Sequence, residues 1–204
     1  METWLAVVGI FGGYLLGSIP TSYIILRIVS GVDIRTVGTG NVGALNAFQQ
    51  RGPKVGVTVL VADVSKGVVA VFLPQWIGAA DWGFYGSAVS VVLGHNWPVF
   101  LNFRGGKGAA AILGVGLALA PILTLISIVP VVVLALTIRN VVVGAATGFV
   151  LFNILTLVTG KPWPLTLVCL GLTLGVIGNY LSQTINQTLT AIRHRRLRGV
   201  FFPD

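Results

Sequence analysis

Two glycine-rich segments hold the residues best suited to chemistry in this chain. The first spans residues 38–46 with the sequence GTGNVGALN, and the second spans residues 103–108 with the sequence FRGGKG. Glycine leaves the backbone bare, so N–H groups can approach an anion closely, while Arg and Lys add positive charge. Because apolar runs flank both segments, the pattern predicts phosphate binding beside a lipid bilayer.

Few side chains of the usual acid–base and metal-binding types accompany these segments. Of the five acidic residues, only Asp33 and Asp63 lie near them in sequence, and the histidines are His95 and His194. No group has metal-ligand spacing, and no Gly-x-Ser-x-Gly motif is present. Neither glycine segment completes a Walker A motif or a dinucleotide fingerprint. We therefore expect a phosphate site without metal, cofactor or nucleotide.

An ion pair is predicted inside an apolar run. Asp63 and Lys66 are three residues apart, so they share one face of a helix and can pair. Charged groups within a membrane span are costly and by default face a polar cavity. Two interpretations stay open, a direct contact with substrate and a buried pair that fixes helix packing. For His95 the alternatives are a hydrogen bond to a neighbouring helix and a role at the site.

The composition is that of a polytopic membrane protein. Of the 204 residues, 55% are hydrophobic and 9% are charged, with a mean hydropathy of +0.93. A soluble domain carries about 25% charged residues. We therefore predict a single all-α membrane domain over residues 1–204. The net charge of +8 fits positive-inside topology, membrane lipid as a partner, and an anionic substrate, and no nucleic acid is expected.

Apolar runs that approach the length of a membrane helix set the expected topology. They cover residues 4–28, 55–73, 84–103, 108–138, 141–158 and 165–192. The run 108–138 contains Pro121 and Pro130 and fits one tilted helix or a hairpin of two short helices. A hairpin, with the N-terminus outside, places every basic residue except Lys66 and Lys161 on one side. The positive-inside rule thus favours about seven membrane helices, some short or broken, with both glycine segments and the C-terminus in the cytoplasm.

Several motifs, taken together, resemble those of a known family. They are GSIP at 17–20, DIR at 33–35, the first glycine segment, DVSKG at 63–67, GHNWPVF at 94–100, the second glycine segment and HRRLRG at 194–199. With these motifs the chain resembles the acyl-phosphate-dependent glycerol-3-phosphate acyltransferases, the PlsY family, over nearly its whole length.

The resemblance implies a fold, a reaction and a set of site residues. The fold would have seven membrane helices, with the active site at the cytoplasmic face of the plasma membrane. The reaction would transfer a fatty acyl group from acyl-phosphate to the 1-hydroxyl of sn-glycerol 3-phosphate, giving lysophosphatidate and phosphate for phospholipid biosynthesis. For such a reaction the candidate base is His194 or the donor's own phosphate, and the scarcity of carboxylates in the sequence favours the phosphate. The implied substrate-binding residues are Thr39, Gly40, Asn41, Gly43, Asn46, Asp63, Lys66, Arg104, Gly105, Gly106, Lys107, Gly108 and Arg139.

Some positions depart from the family pattern. Thr39, Leu45 and Gln49 stand where the family has Ser, Thr and Arg, and Val142 lies near a family Ser. The tail lacks the expected Glu-Asn-Ile-Lys after residues 194–195. A second interpretation is therefore a catalytically impaired relative that binds lipid or anions.

Overall fold

The chain is helical throughout the part that the structure describes. The computed structural model describes the backbone of residues 1–201 and the side chains of residues 1–185. The helices in that part are α1 (Glu2–Ser18), α2 (Thr21–Ser30), α3 (Ala44–Trp76), α4 (Trp82–Asn96), α5 (Ala109–Leu119), α6 (Pro121–Thr137), α7 (Val141–Val158) and α8 (Trp163–Phe201). The predicted all-α class is confirmed, and the His194 side chain and the basic tail lie outside the described residues.

Four helical segments of the described chain are long and apolar enough to cross a membrane. They are Glu2–Ser30, Ala44–Trp76, Val141–Val158 and Trp163–Ile185. The apolar helices α5 and α6 are shorter than this. The polytopic class is therefore confirmed, whereas the count of about seven membrane helices stays a prediction.

The first span is broken between α1 and α2, at Ile19 and Pro20. Proline cannot donate the helical hydrogen bond, and the chain leaves α1 at Ile19 and re-enters a helix at Thr21. The carbonyl of Ile19, freed by this break, accepts a hydrogen bond from Lys66 Nζ at 3.2 Å. A broken helix is tolerated in a bilayer only when protein groups bind the exposed backbone in this way.

The apolar run 108–138 forms two helices rather than one. Ala120 leaves helical geometry with φ −149° and ψ 71°, and Pro121 opens α6, a position where proline is favoured. A Cβ on Gly116 would lie 2.8 Å from Thr124 Oγ1. On a straight helix, two residues eight positions apart would be separated by about 12 Å along the axis. The close approach of Gly116 and Thr124 therefore shows that the chain turns back on itself. The predicted hairpin is confirmed.

Small residues bring the helices that frame the second glycine segment close together. Gly17 of α1 packs on the backbone of Val91 in α4. A Cβ on Gly114 of α5 would lie 3.0 Å from the Cα of Gly67 in α3. Such contacts, typical of membrane helix packing, hold α4 against α1 and α5 against α3.

The two glycine segments lie at the same end of the bundle. The N–H of Ala80, in the α3–α4 connection, donates to Glu2 O at 3.2 Å, which places that connection beside the N-terminus. The first glycine segment leads into the start of α3, and the second follows the end of α4. Both of these helix ends lie at the end of the bundle opposite the α3–α4 connection. Ala109 and Val141 line one cavity, so Arg139 also lies at the glycine end, while Lys161 in the α7–α8 turn lies at the other. The predicted grouping of basic residues thus holds for the described side chains.

Candidate active site

The side chain of Asn46 forms hydrogen bonds with the backbone of the first glycine segment. Its side chain is 1% exposed, and Nδ2 faces the carbonyls of Val37 at 3.1 Å and Asn41 at 3.0 Å. Its Oδ1 accepts the N–H of Thr39 at 3.2 Å. Because both ends of the amide are used within the protein, the geometry gives Asn46 a supporting position. Direct binding of substrate by this side chain stays a prediction.

Other N–H groups of the first segment are also engaged within the protein. Gly40 donates to Val37 O at 3.0 Å, and Gly43 donates to Asn41 O at 3.1 Å. Asn41 N lies 3.4 Å from Thr39 Oγ1, whereas Asn41 Oδ1 is buried without a hydrogen-bond partner among the described residues. Gly40 and Gly43 therefore do not offer free N–H donors to an anion in this structure.

The second segment departs from the expected anion cradle. Gly105 donates its N–H to Asn96 O at 3.2 Å, and Gly106 donates to His95 O at 3.0 Å. A Cβ on Gly105 would meet the His95 carbonyl, and one on Gly106 would meet the His95 ring. The N–H groups of these two glycines are therefore bonded within the protein, and the binding of substrate by Gly105 and Gly106 stays a prediction. The two positions have no room for a side chain because the end of α4 packs directly against them.

N–H groups that have no partner among the described residues lie just after these glycines, at the start of α5. Ile112 donates the first hydrogen bond of the helix, to Gly108 O at 2.9 Å. The N–H groups of residues 109–111 precede that bond, and such orphan donors at a positive helix end favour anions. Gly108 makes the turn into the helix with φ 92°, a conformation that glycine adopts readily.

Lys107 places a cation directly before this helix. Its Nζ lies 4.0 Å from the centre of the Tyr180 ring, within range of a cation–π interaction. Partial burial lowers the pKa of Lys107 from its ordinary value. Arg104, in the same segment, is exposed. Lys107, Arg104 and the start of α5 together form a cationic site of the kind that binds phosphate, which we call the α5 phosphate site.

The two glycine segments touch each other. A Cβ on Gly106 would lie 2.7 Å from the carbonyl of Val42, so the segments share one face of the molecule as predicted. Arg139 is exposed in the α6–α7 turn with φ 56°. Within the described residues, no hydrogen bond or ion pair joins Arg139 to either segment, and its role at the site stays a prediction.

Two polar residues of α8 hold the second segment and were not predicted. Asn179 Nδ2 donates to Gly106 O at 3.1 Å, and Gln183 Nε2 donates to the same oxygen at 3.2 Å. They are four residues apart in a mostly apolar span, and hence on one helical face. Polar side chains in a membrane span usually mark a functional interior, and that spacing was the available signal.

Asp63 joins three helices beneath the glycine segments. Its Oδ1 accepts a hydrogen bond from the Thr21 hydroxyl and lies 2.9 Å from Lys66 Nζ, which confirms the predicted ion pair. The same oxygen lies 3.6 Å from His95 Nδ1. Asp63 and Lys66 are both buried, so their direct contact with substrate stays a prediction.

Comparison with known proteins identifies the fold and its family. A sequence model described as glycerol-3-phosphate acyltransferase matches residues 7–196. The chain belongs to this family. The family includes the glycerol-3-phosphate acyltransferase of Clostridioides difficile (strain 630), which is 37% identical over 205 residues that cover 96% of this chain and 100% of the relative. Glycerol-3-phosphate acyltransferase 4 of Dehalococcoides mccartyi (strain CBDB1) is 47% identical over 116 residues, 57% of this chain, and the match spans half the length of that relative.

Solved structures of the family share this architecture. The crystal structure of the integral membrane glycerol 3-phosphate acyltransferase PlsY in its glycerol 3-phosphate form superposes with a TM-score of 0.81 at 33% identity, covering 91% of this chain and 92% of that one. Its lysophosphatidic acid form gives a TM-score of 0.78 at 31% identity, with the same coverage. The resemblance inferred from the sequence motifs is confirmed.

A surface ion pair in this family member precedes the first glycine segment. Arg35 contacts Asp33 with its Nη2 2.7 Å from Oδ2, and its guanidinium carbon lies 5.2 Å from the centre of the Tyr23 ring. The hydrogen bond from Arg35 lowers the pKa of Asp33 to about 2. The charged carboxylate therefore favours the folded connection between α2 and the first segment.

We expect Asp33→Asn to destabilise the protein in a pH-dependent way. The folded pKa of about 2 lies below the ordinary 3.8, so the pair stabilises the fold above pH 4. This contribution disappears as the pH falls from about 4 to 2. Thermal unfolding in detergent, followed by tryptophan fluorescence, should show a lower Tm for the variant at pH 7 and converging values in acid. Asp81→Asn, at the opposite end, is the control; a difference that does not change with pH would contradict the account.

Two apolar cavities begin beside the α5 phosphate site. One of about 320 Å³ lies between α3, α5, α6, α7 and α8 and is lined by Ala109 and Ala110 at its near end. The other, of about 390 Å³, runs between α4 and α8 from Asn96 to Leu167. Since α5 begins at Ala109, the apolar wall of the first cavity lies directly next to the α5 phosphate site.

Proposed function

We propose that this protein transfers a fatty acyl group from acyl-phosphate to the 1-hydroxyl of sn-glycerol 3-phosphate. The products are lysophosphatidate and inorganic phosphate. The observation that carries the proposal is the juxtaposition of the α5 phosphate site with an apolar cavity that is lined by Ala109 and Ala110 at the start of α5. Membership of the acyltransferase family supports the assignment of glycerol 3-phosphate as the acceptor.

The reaction needs positioning and charge stabilisation more than a nucleophilic side chain. Acyl-phosphate is a mixed anhydride that is already activated, so no covalent enzyme intermediate is required. The acceptor hydroxyl oxygen attacks the acyl carbon, and the bond from that carbon to the phosphate oxygen breaks. Lys107 and Arg104 offset the repulsion between two anions, and donors at the start of α5 hold a phosphate.

The donor's own phosphate is the preferred base. Asp33 is paired with Arg35, and Asp63 is buried against Lys66, so neither carboxylate near the site is available to take the hydroxyl proton. The leaving phosphate is formed at the reacting centre and can carry the proton away. His194, in the tail, remains the other candidate base.

A donor-choice assay tests the proposed function. Purified protein is incubated with labelled glycerol 3-phosphate and either palmitoyl-phosphate or palmitoyl-coenzyme A. We expect labelled lysophosphatidate from palmitoyl-phosphate alone. Product from the coenzyme A thioester alone would overturn the donor assignment. Absence of product from both, with glycerol 3-phosphate binding retained, would favour the impaired relative suggested by Gln49 and the altered tail.

We place the acyl chain in the cavity between α3, α5, α6, α7 and α8. Ala145→Phe fills this cavity, and overpacking there should cost about 1–3 kcal/mol. We expect kcat/KM for palmitoyl-phosphate to fall about tenfold, while octanoyl-phosphate is affected less. The matched variant is Gly171→Phe, which fills the α4–α8 groove at a position with no neighbour within 4 Å of an added Cβ. If only Gly171→Phe loses palmitoyl transfer, the acyl chain of the substrate binds in the α4–α8 groove instead.

The site is proposed to face the cytoplasm from the plasma membrane. The described basic residues other than Lys66 and Lys161 gather at the glycine end, and positive charge marks the cytoplasmic side. In intact cells, an impermeant maleimide should label Lys161→Cys but not Thr36→Cys, whereas both should react after lysis. The native Cys169 is buried and gives little background. Labelling of Thr36→Cys alone in intact cells would reverse the orientation.

A further inference from the structure

The Asp63 cluster is connected to the second glycine segment through one side chain. His95, in the last turn of α4, faces Asp63 with its Nδ1 at 3.6 Å. The other edge of the ring lies against Gly106, where an added Cβ would meet Nε2. The His95 carbonyl also accepts the Gly106 N–H at 3.0 Å. One residue therefore contacts the ion pair on one side and the glycine segment on the other.

Asp63 itself is fixed from three directions. Thr21 at the start of α2 donates to it, Lys66 lies one helical turn further along α3, and His95 reaches it from α4. Lys66 in turn holds Ile19 O, at the break between α1 and α2. Groups on α2, α3 and α4 therefore all contact the Asp63 carboxylate, and His95 is the one among them that also contacts Gly106.

Packing alone is a weak explanation for this cluster. Replacing a buried ion pair with apolar residues of similar volume is often neutral or stabilising. Asp63 is 1% exposed and Lys66 is 7% exposed, so both charges have left water. An apolar cluster would leave the His95 ring without its polar contact to Asp63, and that contact can orient the ring.

We infer that Asp63 and His95 are positioning residues for phosphate binding at the start of α5. Asp63 orients the His95 ring, the ring and carbonyl of His95 set the place of Gly106, and Gly106 sets the place of Lys107 and the first turn of α5. The inference rests on the proposed function, because the phosphate positioned there is that of a substrate. In this inference both residues act through Gly106 and Lys107.

Two variants test this chain of contacts by steady-state kinetics. Asp63→Asn keeps an oxygen for Thr21 but removes the charge, and His95→Asn keeps a donor for Asp63 but removes the ring edge against Gly106. For each we expect KM for glycerol 3-phosphate to rise at least about tenfold with a smaller change in kcat, since a displaced binding group loses its alignment. A fall in kcat with unchanged KM would overturn the inference and place these residues in the chemical step.

A structural control separates positioning from general loss of stability. Ser87 lies on the same helix as His95 and donates a buried hydrogen bond to Ala70 O at 2.6 Å. Ser87→Ala should lower the Tm without changing KM. If Ser87→Ala raises KM as much as His95→Asn does, the effect comes from destabilised packing and the inference fails.

The mobility of a spin label tests the inference without any measurement of enzyme activity. A spin label at Phe103→Cys, an exposed position beside the second segment, reports the local mobility of that segment. We expect greater label mobility in His95→Asn and Asp63→Asn than in Ser87→Ala. Unchanged mobility in both would overturn the inference. Wild-type protein that makes no lysophosphatidate would refute the proposed function alone, because the spin label still tests whether His95 holds the segment.

Discussion

Lys107→Ala is expected to lower kcat/KM for acyl transfer at least about 100-fold, or about 2.7 kcal/mol. Lys107 directly precedes the orphan N–H groups of α5, where a phosphate would be held. Its Nζ packs on the Tyr180 ring and forms no ion pair within residues 1–185, so its charge is available to a ligand. Initial rates with palmitoyl-phosphate and glycerol 3-phosphate give the measurement.

Lys161→Ala provides the matched control for this loss. It removes the same charge from the α7–α8 turn, at the far end of the bundle. Its kcat/KM should stay within about twofold of wild type, since exposed substitutions away from a site usually have small effects. Equal losses in the two variants, or none in Lys107→Ala, would contradict the placement of the α5 phosphate site.

Gly106→Ala is expected to abolish most activity through a steric clash. The added Cβ would meet the His95 ring and lie 2.7 Å from the Val42 carbonyl, so the segment must move away from α4. A displacement of about 1 Å can reduce the rate 100-fold, and overpacking should also lower stability by about 1–3 kcal/mol. The kinetic assay, with unfolding followed in the same detergent, measures both effects.

Gly178→Ala is the control for the glycine substitution. An added Cβ at Gly178 on α8 has no neighbour within 4 Å, and alanine favours a helix over glycine. Stability should be unchanged or slightly higher, with activity retained. Wild-type kinetics in Gly106→Ala would show that close packing of His95 on Gly106 is not required.

The helix breaks were predictable because they follow from local chemistry. Pro20 and Pro121 lack the donor that a continuing helix needs, and both stand where the chain leaves one helix and enters another. The direction of the chain after residue 120 needed a second argument, the one-sided grouping of basic residues. Pro121 and this grouping of basic residues are together sufficient to predict the hairpin.

The donors at the candidate site were predicted less well, for a physical reason. Sequence shows that Gly105 and Gly106 can approach other groups closely, but it does not show which groups meet them. In the fold, carbonyls at the end of α4 take their N–H groups, and the available donors shift to the first turn of α5. Asn179 lies 73 residues from Gly106, and no local pattern predicts that contact.

The ion pair illustrates the same limit. The spacing of Asp63 and Lys66 on one helical face was sufficient to predict their contact. That His95 would join Asp63 from another helix depends on how closely α4 approaches α3, which residue types alone do not set. Sequence therefore left open whether the pair contacts substrate, and the fold supplies the connection through His95 to Gly106.

Phosphorus NMR of one reaction mixture tests the central claim most directly. Purified protein in detergent is given palmitoyl-phosphate and glycerol 3-phosphate, and all phosphorus species are followed together. The account predicts that the two substrates disappear at equal rates while lysophosphatidate and inorganic phosphate appear in equal amounts. Inorganic phosphate released without lysophosphatidate, or no turnover by folded protein, would contradict it.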